Sequence, residues 1–111
     1  MKRILLVVSC LLCSTPAFAL TATWKANSEP DMKEYVVYMC KVKGCTVQQN
    51  PTQQVAVVPH SAAPSWILPN QIEGTLAVSA KDQDGNESEL SNQVPFDSLA
   101  PASPAGASIS R

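Results

Sequence analysis

The 111-residue chain contains one histidine, and its eight Lys and Arg residues do not outnumber its nine Asp and Glu residues. A zinc site usually requires four ligands, so a chain whose only histidine is His60 offers few candidates. Because basic residues are not in excess over acidic ones, binding to the phosphate backbone of a nucleic acid is not expected. Nine prolines, repeated between the apolar segments, argue against any helix longer than a turn.

The first 19 residues have the pattern of a signal peptide. Lys2 and Arg3 form a basic start, residues 4–13 form an apolar segment too short to span a bilayer, and Ala17-Phe18-Ala19 supplies small residues before a cleavage point. We predict cleavage after Ala19 and export to the periplasm or the medium. The mature chain would carry six basic and nine acidic residues. It would have no transmembrane segment, and we predict no nucleic-acid partner.

A second processing route starts at Cys10. Val7-Val8-Ser9-Cys10 loosely resembles a bacterial lipobox, whose cysteine is lipidated after cleavage. The apolar run before Cys10 is short for a leader. This alternative makes the protein a membrane-anchored lipoprotein, a structural accessory tethered to the envelope.

Four cysteines are present, and Cys10 and Cys13 fall inside the leader. Cys40 and Cys45 remain, separated by four residues that include Gly44. Such a loop is a normal hairpin connection, and it places opposed Cβ atoms at disulfide distance. Export favours a disulfide between Cys40 and Cys45 over a metal site or a reactive thiol pair.

The remaining chain reads as short strands with alternating apolar residues, separated by Gly, Pro and Asn. This pattern predicts an all-β fold, a small antiparallel immunoglobulin-like β-sandwich. The expected strands are 20–24, 34–41, 46–49, 55–58, 65–68, 75–81 and 90–94. The expected core is Trp24, Tyr35, Val37, Leu68, Leu76 and Val78. The segment 34–41 is apolar on both faces, which predicts a central strand covered on both sides. Residues 98–111 are mostly Ala, Ser, Pro and Gly and predict a flexible tail.

Several motifs resemble the fibronectin type III domain superfamily. In this family an E-P-D turn precedes the third strand, which carries a Tyr-x-Val motif; Glu29-Pro30-Asp31 and Tyr35-Val36-Val37 match these two features. Trp24 matches the tryptophan of the family's second strand. The sixth-strand pattern is matched by Leu76, Val78, Ala80, Asp82, Gly85, Asn86, Glu87 and Ser88. The resemblance spans residues 20–97. It implies a non-catalytic binding or interaction module whose ligand is a protein or a carbohydrate.

The sequence departs from the family in two places. Gly74 stands where the family has the tyrosine of its tyrosine corner, so we expect lower local stability there. The family's first strand would precede Leu20, where only the leader lies. Either the mature domain lacks this strand or another segment replaces it. If it is missing, an open sheet edge is formed by Leu20, Thr21, Ala22 and Thr23. Such an edge recruits a strand from a partner protein, a second copy or the tail, or it is satisfied by water.

The other side chains that could bind a metal or take part in catalysis are interpreted as structural. The segment 82–87 is acidic, but Gly85 is at the fourth rather than the sixth position of a calcium loop, so we predict a polar hairpin turn. His60 is interpreted as a solvated loop residue and Trp66 as a core residue. No Ser or Cys pattern accompanies the single histidine. We therefore predict no enzyme activity, no cofactor and no catalytic or metal-binding residue.

Overall fold

The computed structural model describes residues 5–10, 20–99 and 109, and for residues 8–10 the backbone alone. The predicted cleavage site at Ala19 and the second leader cysteine, Cys13, lie outside the described residues. Most of the predicted tail does so as well. Ser98, its first residue, is buried and donates its backbone N–H to the carbonyl oxygen of Ile72 at 2.8 Å.

Two antiparallel sheets form the described part of the chain, which confirms the predicted all-β sandwich. The strands are β1 (Leu6–Cys10), β2 (Leu20–Trp24), β3 (Met32–Cys40), β4 (Gln54–Pro59), β5 (Ser65–Ile67), β6 (Glu73–Asp82) and β7 (Val94–Asp97). One sheet has the order β1-β2-β5 and the other β4-β3-β6-β7. A 3₁₀ turn at Pro51–Gln53 precedes β4. Among these residues, no helix has the length and apolarity needed to cross a membrane.

The main core lies between the two sheets, because one face of each strand is apolar. All six residues predicted for the core are buried in it: Trp24, Tyr35, Val37, Leu68, Leu76 and Val78. Trp24 of β2 meets Tyr35 of β3 edge to face, with ring centroids 5.5 Å apart, which joins the sheets at an aromatic contact. Trp66, which was predicted to lie in the core, packs against it but is only half-buried.

A second, smaller cluster covers the opposite face of the four-stranded sheet. Val36 and Tyr38 of β3 pack there with Val47 and Ala77. The prediction that this strand is central and covered on both faces is therefore confirmed, since β3 lies between β4 and β6.

Two predicted strands, 46–49 and 90–94, are wrong, and side-chain hydrogen bonds explain both. The amide of Gln93 accepts from the backbone N–H of Val47 at 2.8 Å and donates to its carbonyl oxygen at 2.9 Å, in place of a neighbouring strand. The hydroxyls of Ser88 and Ser91 accept from backbone N–H groups of β6, at Ala80 and Val78. The last strand consequently begins only at Val94.

Candidate interaction edge at strand β2

The predicted edge residues Leu20, Thr21, Ala22 and Thr23 form β2 together with Trp24. Alternation puts Ala22 and Trp24 into the core, and β-branched Thr21 and Thr23 suit an extended backbone. In the full chain β2 is the middle strand of its sheet. β5 pairs with one side and β1 with the other, so the edge is open only in a chain that has lost β1.

The strand that precedes β2 in the chain is β1, which lies entirely within the predicted leader. β1 runs antiparallel to β2, from Leu6 opposite Trp24 to Cys10 opposite Leu20. This strand is not among those predicted from the sequence, because its apolar residues also fit a leader. The alternation that marks a half-buried strand is hidden in an apolar run of this kind.

Backbone groups on β2 alternate between its two neighbours. The carbonyl oxygen of Leu20 accepts from Leu68 at 2.9 Å, and the N–H of Trp24 points to Pro64 at 3.5 Å, both on the β5 side. Because antiparallel residues alternate in direction, the N–H and C=O groups of Thr21 and Thr23 point to β1. They face Ser9 and Val7.

Leu6 is the residue that fixes β1 in the core. It is 2% exposed and belongs to the same cluster as Ala22 and Trp24. Its backbone N–H donates to Oδ1 of Asn92 at 3.0 Å, and its carbonyl oxygen accepts from Nδ2 of Asn92 at 3.3 Å. Val7, by contrast, is 50% exposed. β1 is thus held beside β2 by backbone pairing along the strand and by one apolar pocket, the socket, in which the side chain of Leu6 packs with Ala22 and Trp24.

The predicted disulfide joins Cys40, at the end of β3, to Cys45. Its Cα atoms are 6.2 Å apart, and Gly44 adopts a φ of 76° in the loop between them. That conformation is readily available only to glycine, which explains the residue at this position. The bridge lies away from β2 and fixes the loop that leads to Val47.

A polar cluster on the outer face of the four-stranded sheet was not predicted. Oε2 of Glu87 accepts hydrogen bonds from Tyr38, from Ser79 at 2.6 Å and from Gln49 at 2.9 Å. Partial desolvation favours the neutral form of Glu87, whose side chain is otherwise exposed, but these hydrogen bonds outweigh it and hold the pKa of the carboxyl below its ordinary value. Burial and the adjacent Glu87 raise the pKa of Tyr38 to about 12. The cluster fastens a loop to the sheet with a charge-assisted hydrogen bond.

The acidic segment folds as a turn organised by Asp82. Its carboxylate accepts from the backbone N–H groups of Asp84 and Asn86 and from the side-chain amide of Asn86. Hydrogen bonds from Asn86 lower the pKa of Asp82. Asp31 comes close enough that one oxygen from each of Asp31, Asp82 and Asp84 lies within 4.8 Å of the others. Asp31 was not predicted to join this turn. The backbone N–H of Gln83 donates to the carbonyl oxygen of Asp31 at 2.9 Å and brings it there.

His60 is exposed, as predicted, but it is not merely solvated. Its Nδ1 lies 2.9 Å from the hydroxyl of Tyr35, which accepts from the backbone N–H of Asn27 at 2.9 Å. The direction of the hydrogen bond between Tyr35 and His60 depends on which ring nitrogen of the imidazole carries the proton. Burial raises the pKa of Tyr35, so this hydroxyl keeps its proton. The three residues tie the loop after β2 and the end of β4 to β3.

Comparison of the chain with protein-family models, with curated proteins and with solved structures gives no match.

Proposed function

We propose that the protein is an exported, non-catalytic binding module of fibronectin type III type, and that it binds through the edge of β2. The observation that carries the proposal is the seating of β1 on β2. A segment inside the predicted leader fills this place, so cleavage after Ala19 would remove the strand and leave its place on the domain.

The edge of β2 that cleavage would expose is better suited to a polypeptide ligand than to a carbohydrate. The N–H and C=O groups of Thr21 and Thr23 would offer an incoming strand a regular ladder, as in other cases of strand addition. The socket left by Leu6, beside Trp24, would select an apolar side chain at one position. Backbone pairing supplies affinity that depends little on sequence, whereas the socket supplies specificity.

Processing is tested by the mass of the protein recovered from the envelope and from the medium of a bacterial host. A chain that starts at Leu20 supports the export of a soluble module. A diacylated Cys10 supports instead the tethered accessory lipoprotein. A chain that retains Met1 in both fractions contradicts cleavage by either route.

Binding is tested with a fluorescent peptide of residues 4–11 added to the processed protein. We expect saturable binding, because the peptide contains the strand that occupies the edge in the full chain. A control peptide with Leu6→Asp should bind at least about tenfold more weakly, since burial of a leucine contributes roughly 1.5–3 kcal/mol. Equal binding of the two peptides would contradict the socket.

A further inference from the structure

The register of β1 on β2 defines what this edge accepts. Five residues pair in antiparallel order: Leu6 opposite Trp24, Val7 opposite Thr23, Val8 opposite Ala22, Ser9 opposite Thr21 and Cys10 opposite Leu20. Leu6 is the inward anchor at one end, and Val7 is exposed on the outer face. An occupant of the edge therefore needs five extended residues that begin with an apolar anchor opposite Trp24.

The sequence of β2 itself meets this requirement. When a second β2 lies antiparallel with Ala22 facing Ala22, its Leu20 takes the place of Leu6. Its Thr21, Ala22 and Thr23 then take the places of Val7, Val8 and Ser9. Leucine is retained, threonine has the shape of valine, alanine is a smaller apolar residue, and threonine keeps the hydroxyl of serine. Only Trp24, in place of Cys10 at the strand end, is much larger.

Backbone directions also agree with this arrangement. Leu20 and Trp24 direct their backbone groups to β5, and alternation gives Ala22 the same direction. Thr21 and Thr23 are left to pair outward. Each Thr21 would then exchange hydrogen bonds with Thr23 of the second copy. Two such pairs give the same ladder that Ser9 and Val7 form in the full chain.

An unpartnered side-chain atom lies at the same place. Oγ1 of Thr21 is buried and has no hydrogen-bond partner among the described residues. That burial belongs to the full chain, in which Ser9 of β1 lies opposite Thr21; once β1 is removed, the hydroxyl lies at the open edge of the sheet. In the two-fold arrangement Thr23 of the second copy lies directly opposite, where paired threonines on neighbouring strands can form hydrogen bonds.

We propose that two copies of the processed chain join through β2 to form a two-fold dimer, in which the five residues Leu20–Trp24 of one copy pair antiparallel with the same five residues of the other. The proposal rests on the proposed function, because export and cleavage must first remove β1. A two-fold contact requires a surface that is complementary to itself, and the self-matching of β2 satisfies this condition. The interface is short, so the dimer is expected to be weak and to depend on concentration.

The test uses the full-length gene expressed with export, and protein recovered after processing. Mass spectrometry gives its N-terminus, and light scattering after gel filtration gives its molar mass across a concentration series. In the proposed dimer Ala22 faces Ala22 in a pair without mutual hydrogen bonds, at about 4.5 Å between Cα atoms. That distance suits a disulfide, so Ala22→Cys should give a covalent dimer under oxidation. Val57→Cys, on the exposed edge strand β4, is the matched control and should not.

Each outcome decides the proposal. A processed wild-type chain that doubles in mass with concentration, together with cross-linking at Ala22→Cys alone, supports it. A processed chain that stays monomeric at high micromolar concentration overturns the dimer and leaves the export proposal intact. Equal cross-linking of Val57→Cys also overturns it. A chain that retains residues 1–19 overturns both proposals, because no open edge then forms.

Discussion

A Cβ atom on Gly74 would lie 1.8 Å from the carbonyl oxygen of Cys40. β6 and the end of β3 approach each other so closely here that no side chain fits between them. This contact accounts for the glycine at position 74, which allows close backbone packing beside the disulfide.

Gly74→Ala should therefore destabilise the protein strongly, by about 3 kcal/mol or more, because the obstructing atoms belong to the backbone. Urea denaturation of the full chain measures the loss. Gly85→Ala is the matched control. Gly85 has a φ of 88° but open space around its missing Cβ, so only the backbone strain of about 1–2 kcal/mol applies. Equal losses would contradict the steric argument.

The disulfide predicts a second loss of stability. Replacement of both Cys40 and Cys45 by alanine should lower the free energy of unfolding by ~2 kcal/mol, as expected for closure of a short loop. Urea denaturation under non-reducing conditions measures it. Alkylation of the unreduced protein should label neither residue, and complete labelling of both would show that the bridge is absent.

Leu6 tests whether β1 is part of the folded full chain. Leu6→Ala should cost about 2–5 kcal/mol in unprocessed protein, because the leucine is buried in the core. Val7→Ala, at the next and exposed position, should change stability by less than about 0.5 kcal/mol. Thermal or urea unfolding of protein produced without export gives both values. Two small and equal effects would place β1 outside the core.

Thr23→Pro tests the direction of the backbone groups on β2. Proline removes the N–H that points to Val7 and leaves the β5 side unchanged. In the full chain we expect faster hydrogen exchange in residues 6–10 with little change in β5. Ala22→Pro, the control, removes a donor on the β5 side and should expose β5 instead. The processed Thr23→Pro variant should also remain monomeric, and one that keeps every partner and assembly of the wild type would contradict strand addition.

The cluster of Tyr38 and Glu87 predicts a pH dependence at both ends of the scale. The pKa of Tyr38 is raised in the folded state, so its contribution is complete below pH 10 and is lost as the pH rises towards about 12. The pKa of Glu87 is lowered, so its contribution is present above pH 4.5 and is lost as the pH falls through the folded value.

Two substitutions separate these effects in unfolding curves measured across pH. Tyr38→Phe should reduce the loss of stability between pH 10 and 12 relative to the wild type. Glu87→Gln should flatten the acid limb, because it removes the carboxylate that accepts from Tyr38, Ser79 and Gln49. Glu89→Gln, an equivalent substitution two residues along, should leave the acid limb unchanged. An acid limb that is equally steep in Glu87→Gln would show that the cluster does not couple to folding.

Local sequence patterns were enough to predict the elements that depend on residues close together in the chain. Alternation in β3 and β6 predicted which residues face the core, since successive side chains on a strand point to opposite sides. The spacing of Cys40 and Cys45 predicted the bridge because the loop between them is short. The turn at Asp82–Asn86 followed from the conformational preferences of Asp, Gly and Asn.

Tertiary structure alone decided the rest, because the deciding partners are distant in sequence. Asn92 binds the backbone of Leu6 across 86 positions, and Gln93 binds Val47 across 46. No local periodicity reports such contacts. An apolar run such as Leu6–Cys10 fits a leader as well as a strand, since both bury apolar surface. Only the neighbouring strand, with Thr21 and Thr23 directed towards it and Trp24 beside its leucine, defines it as β1.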